Sequence, residues 1–146
     1  MANGVYNRAK YLLLDGALDL PTVADLRVLL VKSSYTFDPD HNFIDPDITT
    51  GSQEISVGGY ARQPLVNEQI VEDDTNDFAY LDADDVVFTA LVSGQTVGGA
   101  VLFKFNAADT AAELIAFYDL TDAGTNGGNM TIQWAAVASG GVLKLA

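Results

Sequence analysis

A short acidic segment carries the ligand spacing of a metal site. Asp38, Asp40 and Asn42 alternate along residues 38–42, and carboxylate and amide oxygens are the ligands that hard cations such as Ca²⁺ prefer. An EF-hand is excluded: counted from Asp38, the glycine position holds Phe43 and the final Glu position holds Thr49. The sequence therefore predicts no metal site and no cofactor, and Asp38, Asp40 and Asn42 are kept only as candidate ligands of another kind of cation site.

Carboxylates are concentrated in the middle third of the chain, where thirteen acidic residues stand against a single base, Arg62. Such a surface could bind cations or a basic partner, or it could keep a β protein soluble and its strand edges unpaired. The run at 82–85 could supply the two carboxylates of a glycosidase, but the sequence has no pattern of aromatic platforms to hold a sugar. The thirteen residues are Asp38, Asp40, Asp45, Asp47, Glu54, Glu68, Glu72, Asp73, Asp74, Asp77, Asp82, Asp84 and Asp85.

The residue inventory excludes most familiar catalytic chemistry. The chain has no cysteine and one histidine, His41, so disulfides, thiolate catalysis, cysteine-bound zinc and sites of several imidazoles are excluded. A Ser/His/Asp triad could be built only around His41. The glycine pairs fit neither a phosphate-binding loop nor a dinucleotide fingerprint. The sequence therefore predicts that the protein is not an enzyme.

Charge and size restrict the partners and the architecture. The formal net charge is −13, which disfavours nucleic acid and anionic membranes, because both recruit proteins through basic side chains. The longest apolar runs, 114–118 and 134–138, are far shorter than the ~20 residues that cross a bilayer. A chain of 146 residues, 49% of them hydrophobic, predicts one folded domain over 1–146.

The N-terminal region predicts an arm over residues 1–6 followed by one helix. Asn7 is the expected N-cap, and Gly16 lies where a helix would end. The apolar side chains that share one face are Ala9, Leu12 and Leu13. The next segment, 25–32, predicts a strand that is covered on both faces, because its apolar side chains alternate to both sides.

The remainder predicts short strands separated by turns. Residues 35–59 are expected to form a long loop with few apolar anchors, and residues 65–72 and 78–82 to form a hairpin around a five-residue turn. Residues 109–120 fit a helix and a strand equally well. The fold class is therefore mainly β, an antiparallel β-sandwich or barrel-like domain with a short N-terminal helix. Further strands are predicted at 86–92, 98–105, 129–136 and 142–145.

A series of segments in fixed order carries a family likeness over most of the chain. The segments lie at 9–20, 27–31, 34–41 (Ser-Tyr-Thr-Phe-Asp-Pro-Asp-His), 59–60, 65–67, 82–86 (Asp-Ala-Asp-Asp-Val), 114–116, 127–134 (Gly-Gly-Asn-Met-Thr-Ile-Gln-Trp) and 142–145. In this order they resemble a family of small structural proteins of tailed bacteriophages. The resemblance implies a place in the virion, transfers no catalytic residues, and mildly favours a strand at 114–119.

Together with the acidic, cysteine-free composition, the resemblance implies a capsid decoration (cement) protein on the outside of the assembled head. Its expected partners are the major capsid protein and further copies of itself, in a closed oligomer such as a trimer. A tail or tail-fibre component, or a host-glycan-binding module, is the alternative. The expected place of synthesis is the host bacterial cytoplasm.

The apolar N-terminal residues are the candidate contacts to the capsid or to other copies. Val5, Tyr6 and Tyr11 could add to a neighbouring sheet or fill a groove, as extended segments do in β-augmentation. On this interpretation, removal of residues 2–7 should weaken binding to the capsid and leave the melting behaviour nearly unchanged.

Overall fold

The computed structural model describes residues 3–20, 25–49 and 52–146, and its fold is mainly β and antiparallel with one short N-terminal helix, as predicted. Within these ranges, no helix is both long enough and apolar enough to span a bilayer. The elements are β1 (Gly4–Val5), α1 (Asn7–Asp15), β2 (Leu26–Lys32), the kinked helical turn α2 (Ile44–Asp47), β3 (Gln63–Pro64), β4 (Gln69–Asp73), β5 (Phe78–Asp82), β6 (Val86–Phe88), β7 (Thr96–Lys104), β8 (Leu114–Gly124), β9 (Met130–Ile132) and β10 (Leu143–Leu145). Two 3₁₀ turns lie at Asp109–Ala111 and Val137–Ser139.

The strands form three antiparallel sheets that pack in a sandwich-like arrangement. The largest has the order β1-β8-β7-β2-β3, a second has the order β10-β5-β4, and β6 pairs with β9. The barrel-like alternative is not realised, because the described strands do not close on themselves.

The centre of the large sheet is apolar on both faces, as predicted for residues 25–32. On one face Val28 and Leu30 join the main core, and on the other Leu29 and Val31 join a second cluster that contains Phe103. All five side chains are fully buried. This double coverage explains why β2 lacks the polar alternation of a half-exposed strand.

Residues 109–120, compatible with a helix or a strand, form a 3₁₀ turn followed by the long strand β8. β8 pairs with β7 on one edge and with β1 on the other. Its residues from Leu114 to Tyr118 are all buried, because the sheet is covered on both faces. Pairing on both edges therefore makes this segment a strand, whereas the spacing of its apolar residues is compatible with a helix as well.

Helix α1 ends as predicted but begins differently. Gly16 adopts the left-handed conformation (φ 72°), and its N–H and that of Ala17 bond to carbonyls of the last turn. The N-cap is Tyr6, whose backbone is extended, so the prediction of Asn7 as the N-cap is wrong. Asn7 is the first helical residue, and its side-chain amide donates to the Asp40 carboxylate at 2.7 Å.

The predicted hairpin is present, with altered bounds. β4 begins at Gln69 and not at residue 65, and β4 pairs with β5 up to Asp73 opposite Phe78. The turn between them has four residues, because Asp73 belongs to the strand. The Asp73 carboxylate accepts hydrogen bonds from the N–H groups of Thr75 and Asn76 at 3.0 Å, which fixes the turn.

Two expectations about irregular segments need correction. Residues 35–59, as far as they are described, are irregular apart from the turn α2, as predicted, but they carry more apolar anchors than expected: Ile44, Ile48 and Ile55 are buried. The arm over residues 1–6 is not free, since β1 pairs with β8 and Tyr6 is fully buried. Residues 1–2 of that arm lie outside the described residues.

Candidate interaction surface

An apolar groove lies between the C-terminal half of α1 and the sheet β10-β5-β4. Antiparallel pairing sets Ile70, Leu81 and Leu143 in one row across the sheet and Ala79 beside Leu145 in the next. Directly paired residues point to the same face, so these apolar side chains form one surface. The groove has a volume of about 190 Å³. Its apolar lining consists of Leu13 and Leu20 on one side and Ile70, Ala79, Leu81, Leu143 and Leu145 on the other.

The inner end of this groove belongs to the core, and its outer end does not. Leu81 and Leu143 are buried, whereas Ile70 is 50% and Leu145 is 57% exposed. On α1, next to Leu13 of the groove, Leu14 is 91% exposed. Apolar side chains gathered at one exposed place are typical of a site that another molecule covers.

The charged residues next to the groove lining in sequence and register are mainly acidic. Lys10 of α1 lies three residues before Leu13, but its ammonium group donates to Asn7 Oδ1 at 3.1 Å, one turn towards the N-terminus of the helix. The exposed carboxylates of Asp15 and Asp19 lie on the segment between Leu13 and Leu20 of the groove lining, and exposed Glu72 follows Ile70 by two positions on the same face of β4. The one basic residue of the three strands is Lys144, which alternation places on the opposite face. Its ammonium group lies 5.1 Å from the centre of the Phe78 ring on that side. The rim of the groove is therefore mainly acidic.

Both outer strands of this small sheet have a free edge among the described residues. β4 and β10 each pair only with β5. A free edge can accept an added strand, and charged side chains on it discourage unwanted pairing. β4 ends in Glu72 and Asp73, and Asp74 follows, so its edge is guarded by carboxylates.

The three candidate contact residues of the N-terminal region fall into different environments. Tyr11 is 57% exposed, and the Arg8 guanidinium lies 5.8 Å from the centre of its ring. Val5 is half-buried and lines a cavity of about 550 Å³ that Trp134 also lines. Tyr6 is fully buried, so its assignment as a contact is wrong, and Val5 and Tyr11 alone remain as candidates.

The hydroxyl of Tyr6 belongs to a hydrogen-bonded row beneath residues 35–42. It lies 2.9 Å from the Tyr35 hydroxyl, which lies 3.0 Å from Nδ1 of His41. Nε2 of His41 is 4.0 Å from the Asp38 carboxylate. Burial is the main cause that raises the pKa of Tyr6 and of Tyr35, so both hydroxyls stay protonated. This row connects buried Tyr6 to the surface turn.

The candidate metal ligands Asp38, Asp40 and Asn42 serve as partners within that turn. The Asp38 carboxylate accepts the Asp40 N–H at 3.0 Å, and the Asn42 amide donates to the Asp40 carbonyl at 2.9 Å. The Asp40 carboxylate accepts the amide of Asn7. Over the described ranges, no group of three or more His, Cys, Asp or Glu side chains is placed to hold a metal ion. The structure thus does not gather these residues into a ligand cluster.

Arg62, the lone base of the acidic third, forms an internal ion-pair network that the sequence did not reveal. Its guanidinium donates to both oxygens of Glu54 at 2.7 and 2.8 Å and to both oxygens of Asp109 at 2.6 and 2.9 Å. The Tyr60 hydroxyl donates to Glu54 at 2.7 Å and accepts the Leu30 N–H at 3.1 Å. The hydrogen bond from Arg62 lowers the pKa of Asp109. Three distant segments are joined in this way.

Two of the carboxylates considered for sugar chemistry also join chain segments. Asp84 accepts the side-chain amide of Asn67 at 2.6 Å, and Asp85 accepts the backbone N–H of Trp134 at 3.1 Å. The Trp134 ring nitrogen donates to the Asp84 carbonyl at 2.9 Å. These contacts hold the 130–136 segment against the strand that begins at Val86.

No family model matches this chain, and neither a characterised protein nor a solved structure shows significant similarity to it. The groove between α1 and the small sheet is an exposed apolar surface with a mainly acidic rim.

Proposed function

We propose that this chain is a virion structural protein of a tailed bacteriophage, and specifically a capsid decoration (cement) protein on the outer surface of the head. The observation that carries the proposal is the apolar groove, where Ile70 and Leu145 stay half-exposed on an acidic chain. A groove of this kind fits a protein that works by binding another protein. The ordered likeness to small phage structural proteins supplies the setting.

A decoration protein stabilises the shell by mass action. Binding only to the assembled lattice adds its binding free energy to that of the shell. Contacts that are weak singly suffice, because each copy can touch neighbouring subunits at once and the contacts add through effective concentration. The proposed partners are the major capsid protein and further copies of this chain, with no role for nucleic acid or a membrane.

The copy number in purified particles of the phage that encodes the chain tests this proposal. Quantitative mass spectrometry against the major shell protein should give on the order of hundreds of copies in a fixed ratio to the shell subunit, as a closed symmetric shell requires. A count of about ten copies would overturn the head assignment and favour a tail or tail-fibre component. Absence from particles would overturn the virion role altogether.

Particle stability provides the second measurement. Heads that lack the protein should melt at a lower temperature than heads to which purified protein has been added back, because ligand binding to the assembled state shifts the equilibrium toward it. Equal melting temperatures would contradict the stabilising role.

A further inference from the structure

We infer that the apolar groove receives a large apolar side chain of another protein, carried on a segment with basic residues on both sides. This inference rests on the proposed function, because it names the partner chemistry of the same surface. It is drawn from the lining of the groove and from the sign of the charges around it.

The groove lining selects an apolar side chain. The walls are formed by leucines of α1 and of the turn after it, and by Ile70 and Leu145 of the two outer strands. A volume of about 190 Å³ accommodates one bulky side chain rather than an extended ligand. A bulky apolar side chain that fills such a pocket is a typical interface anchor, because its burial removes a large apolar area from water.

The rim selects the residues that flank this anchor. Asp19 precedes Leu20 of the lining, and Glu72 is paired across the sheet with Ala79 of the lining. Both are exposed, as is Asp15 at the C-terminal end of α1. The C-terminal end of α1 adds partial negative charge at the same place. Lys144, the one cation of the three strands, is held on the opposite face over Phe78. Lysine or arginine on each side of the anchor would complement these carboxylates.

The same charges argue against a second copy of this chain as the occupant. Each copy carries a formal net charge of −13, and two acidic rims would face one another. Carboxylates at the end of β4 also oppose edge-to-edge pairing between copies. Like charges across an interface cost free energy that weak apolar contacts do not offset. The occupant is therefore a segment of a different protein, with the opposite charge.

A panel of short synthetic peptides tests the inference on the full-length protein. Each labelled peptide has one central Leu, Ile, Phe, Met, Trp or Tyr, and it is made with either lysines or glutamates on both sides. Fluorescence anisotropy should show binding of lysine-flanked members, at least about tenfold weaker binding of the matching glutamate-flanked peptides, and loss of affinity at high salt. Failure of every lysine-flanked peptide to bind, or equal binding of both sets, would overturn the inference.

A matched pair of variants places the binding in the groove. Ile70→Lys puts a cation at the outer end of the groove and should abolish binding of the lysine-flanked peptides. Val92→Lys makes the same change at a site that is 52% exposed and outside the groove, and it should bind as the wild type does. Equal loss in both variants would point to net charge alone and overturn the groove assignment. Both variants are compared at equal folded fraction, which their melting curves establish.

Binding to purified heads separates this inference from the proposed function. Heads that bind the wild type and Ile70→Lys equally would overturn the groove while the decoration role stands. Heads that bind neither protein, although the peptides behave as expected, would overturn the decoration role while the groove stands. Loss of head binding in Ile70→Lys, with retention in Val92→Lys, supports both.

Discussion

Two sheets of this chain use apolar strands in opposite ways. The large sheet is covered on both faces, so Leu29 and Val101 are fully buried on one side while Leu30 is fully buried on the other. The small sheet is covered over only part of one face. There Leu143 is buried, and Leu145, two residues further on the same face, is 57% exposed.

The difference separates what folds the chain from what is left for a partner. In the large sheet, other parts of the same chain cover the apolar side chains on both faces. The outer end of the small sheet carries apolar side chains that contribute little to folding and gain free energy when another molecule covers them. Four substitutions test this contrast, and a change in the core of the large sheet should lower the free energy of unfolding most.

The substitution Phe103→Ala should break the large sheet's second cluster. Phe103 is fully buried, and the Arg62 guanidinium lies 5.5 Å from the centre of its ring. The substitution leaves a cavity, and the free energy of unfolding should fall by about 3–5 kcal/mol. Urea unfolding followed by tryptophan fluorescence measures the change. A loss below about 1 kcal/mol would contradict the tight packing of this face.

Tyr6→Ala tests whether the N-terminus belongs to the large sheet or is a free arm. Because Tyr6 is fully buried and its hydroxyl lies against that of Tyr35, the substitution should lower the free energy of unfolding by about 3 kcal/mol. Removal of residues 2–7 should likewise lower the melting temperature, contrary to the expectation from sequence. Tyr11→Ala is the exposed control and should melt close to the wild type. An unchanged melting temperature for Tyr6→Ala would restore the free arm.

Asp109→Asn tests the network around Arg62, which directly precedes the edge strand β3 of the large sheet. Arg62 lowers the pKa of Asp109, so the ion pair stabilises the fold above the unfolded-state pKa of Asp and is lost as the pH falls through the lowered folded-state value. The variant should be about 1 kcal/mol less stable at pH 7. The loss is modest because the Arg62–Asp109 ion pair is partly exposed to solvent. The gap to the wild type should close as the pH drops below about 4. Urea unfolding at several pH values measures this gap, and one that stays constant with pH would contradict the ionic origin.

Local patterns in the sequence predicted much of the fold. Strand 25–32 follows from apolar residues on both sides, the end of α1 follows from Gly16, and the 69–82 hairpin follows from its acidic turn. Each of these signals acts within a few residues along the chain. The choice between helix and strand at 114–120 did not follow, because both faces of the segment are apolar and only pairing with β7 and β1 decides it.

The candidate site was less accessible to sequence reasoning. Arg62 and Asp109 are 47 positions apart, and no local spacing relates them. The burial of Tyr6 and the exposure of Leu145 depend on which elements cover them. The leucines at 143 and 145 have the same type and the same phase in one strand, yet only one is covered. The groove exists because of that unequal coverage, which periodicity does not encode.

Leu143 and Leu145 provide the most specific test of the contrast between the two sheets, and the change at Leu145 should have the smallest effect on the free energy of unfolding. Leu145→Ala should change the free energy of unfolding by less than about 0.5 kcal/mol, because the side chain is already half in water. Leu143→Ala, the matched control on the same strand and face, should cost about 2–3 kcal/mol because Leu143 is 8% exposed. If the groove receives a partner's side chain, Leu145→Ala should still weaken binding of the lysine-flanked peptides, since it removes part of the wall. Urea unfolding and fluorescence anisotropy on the same two proteins measure both quantities. Equal stability losses in the two variants would show that the outer end of the sheet is as much a part of the core as the inner end, and the contrast between the two sheets would fail.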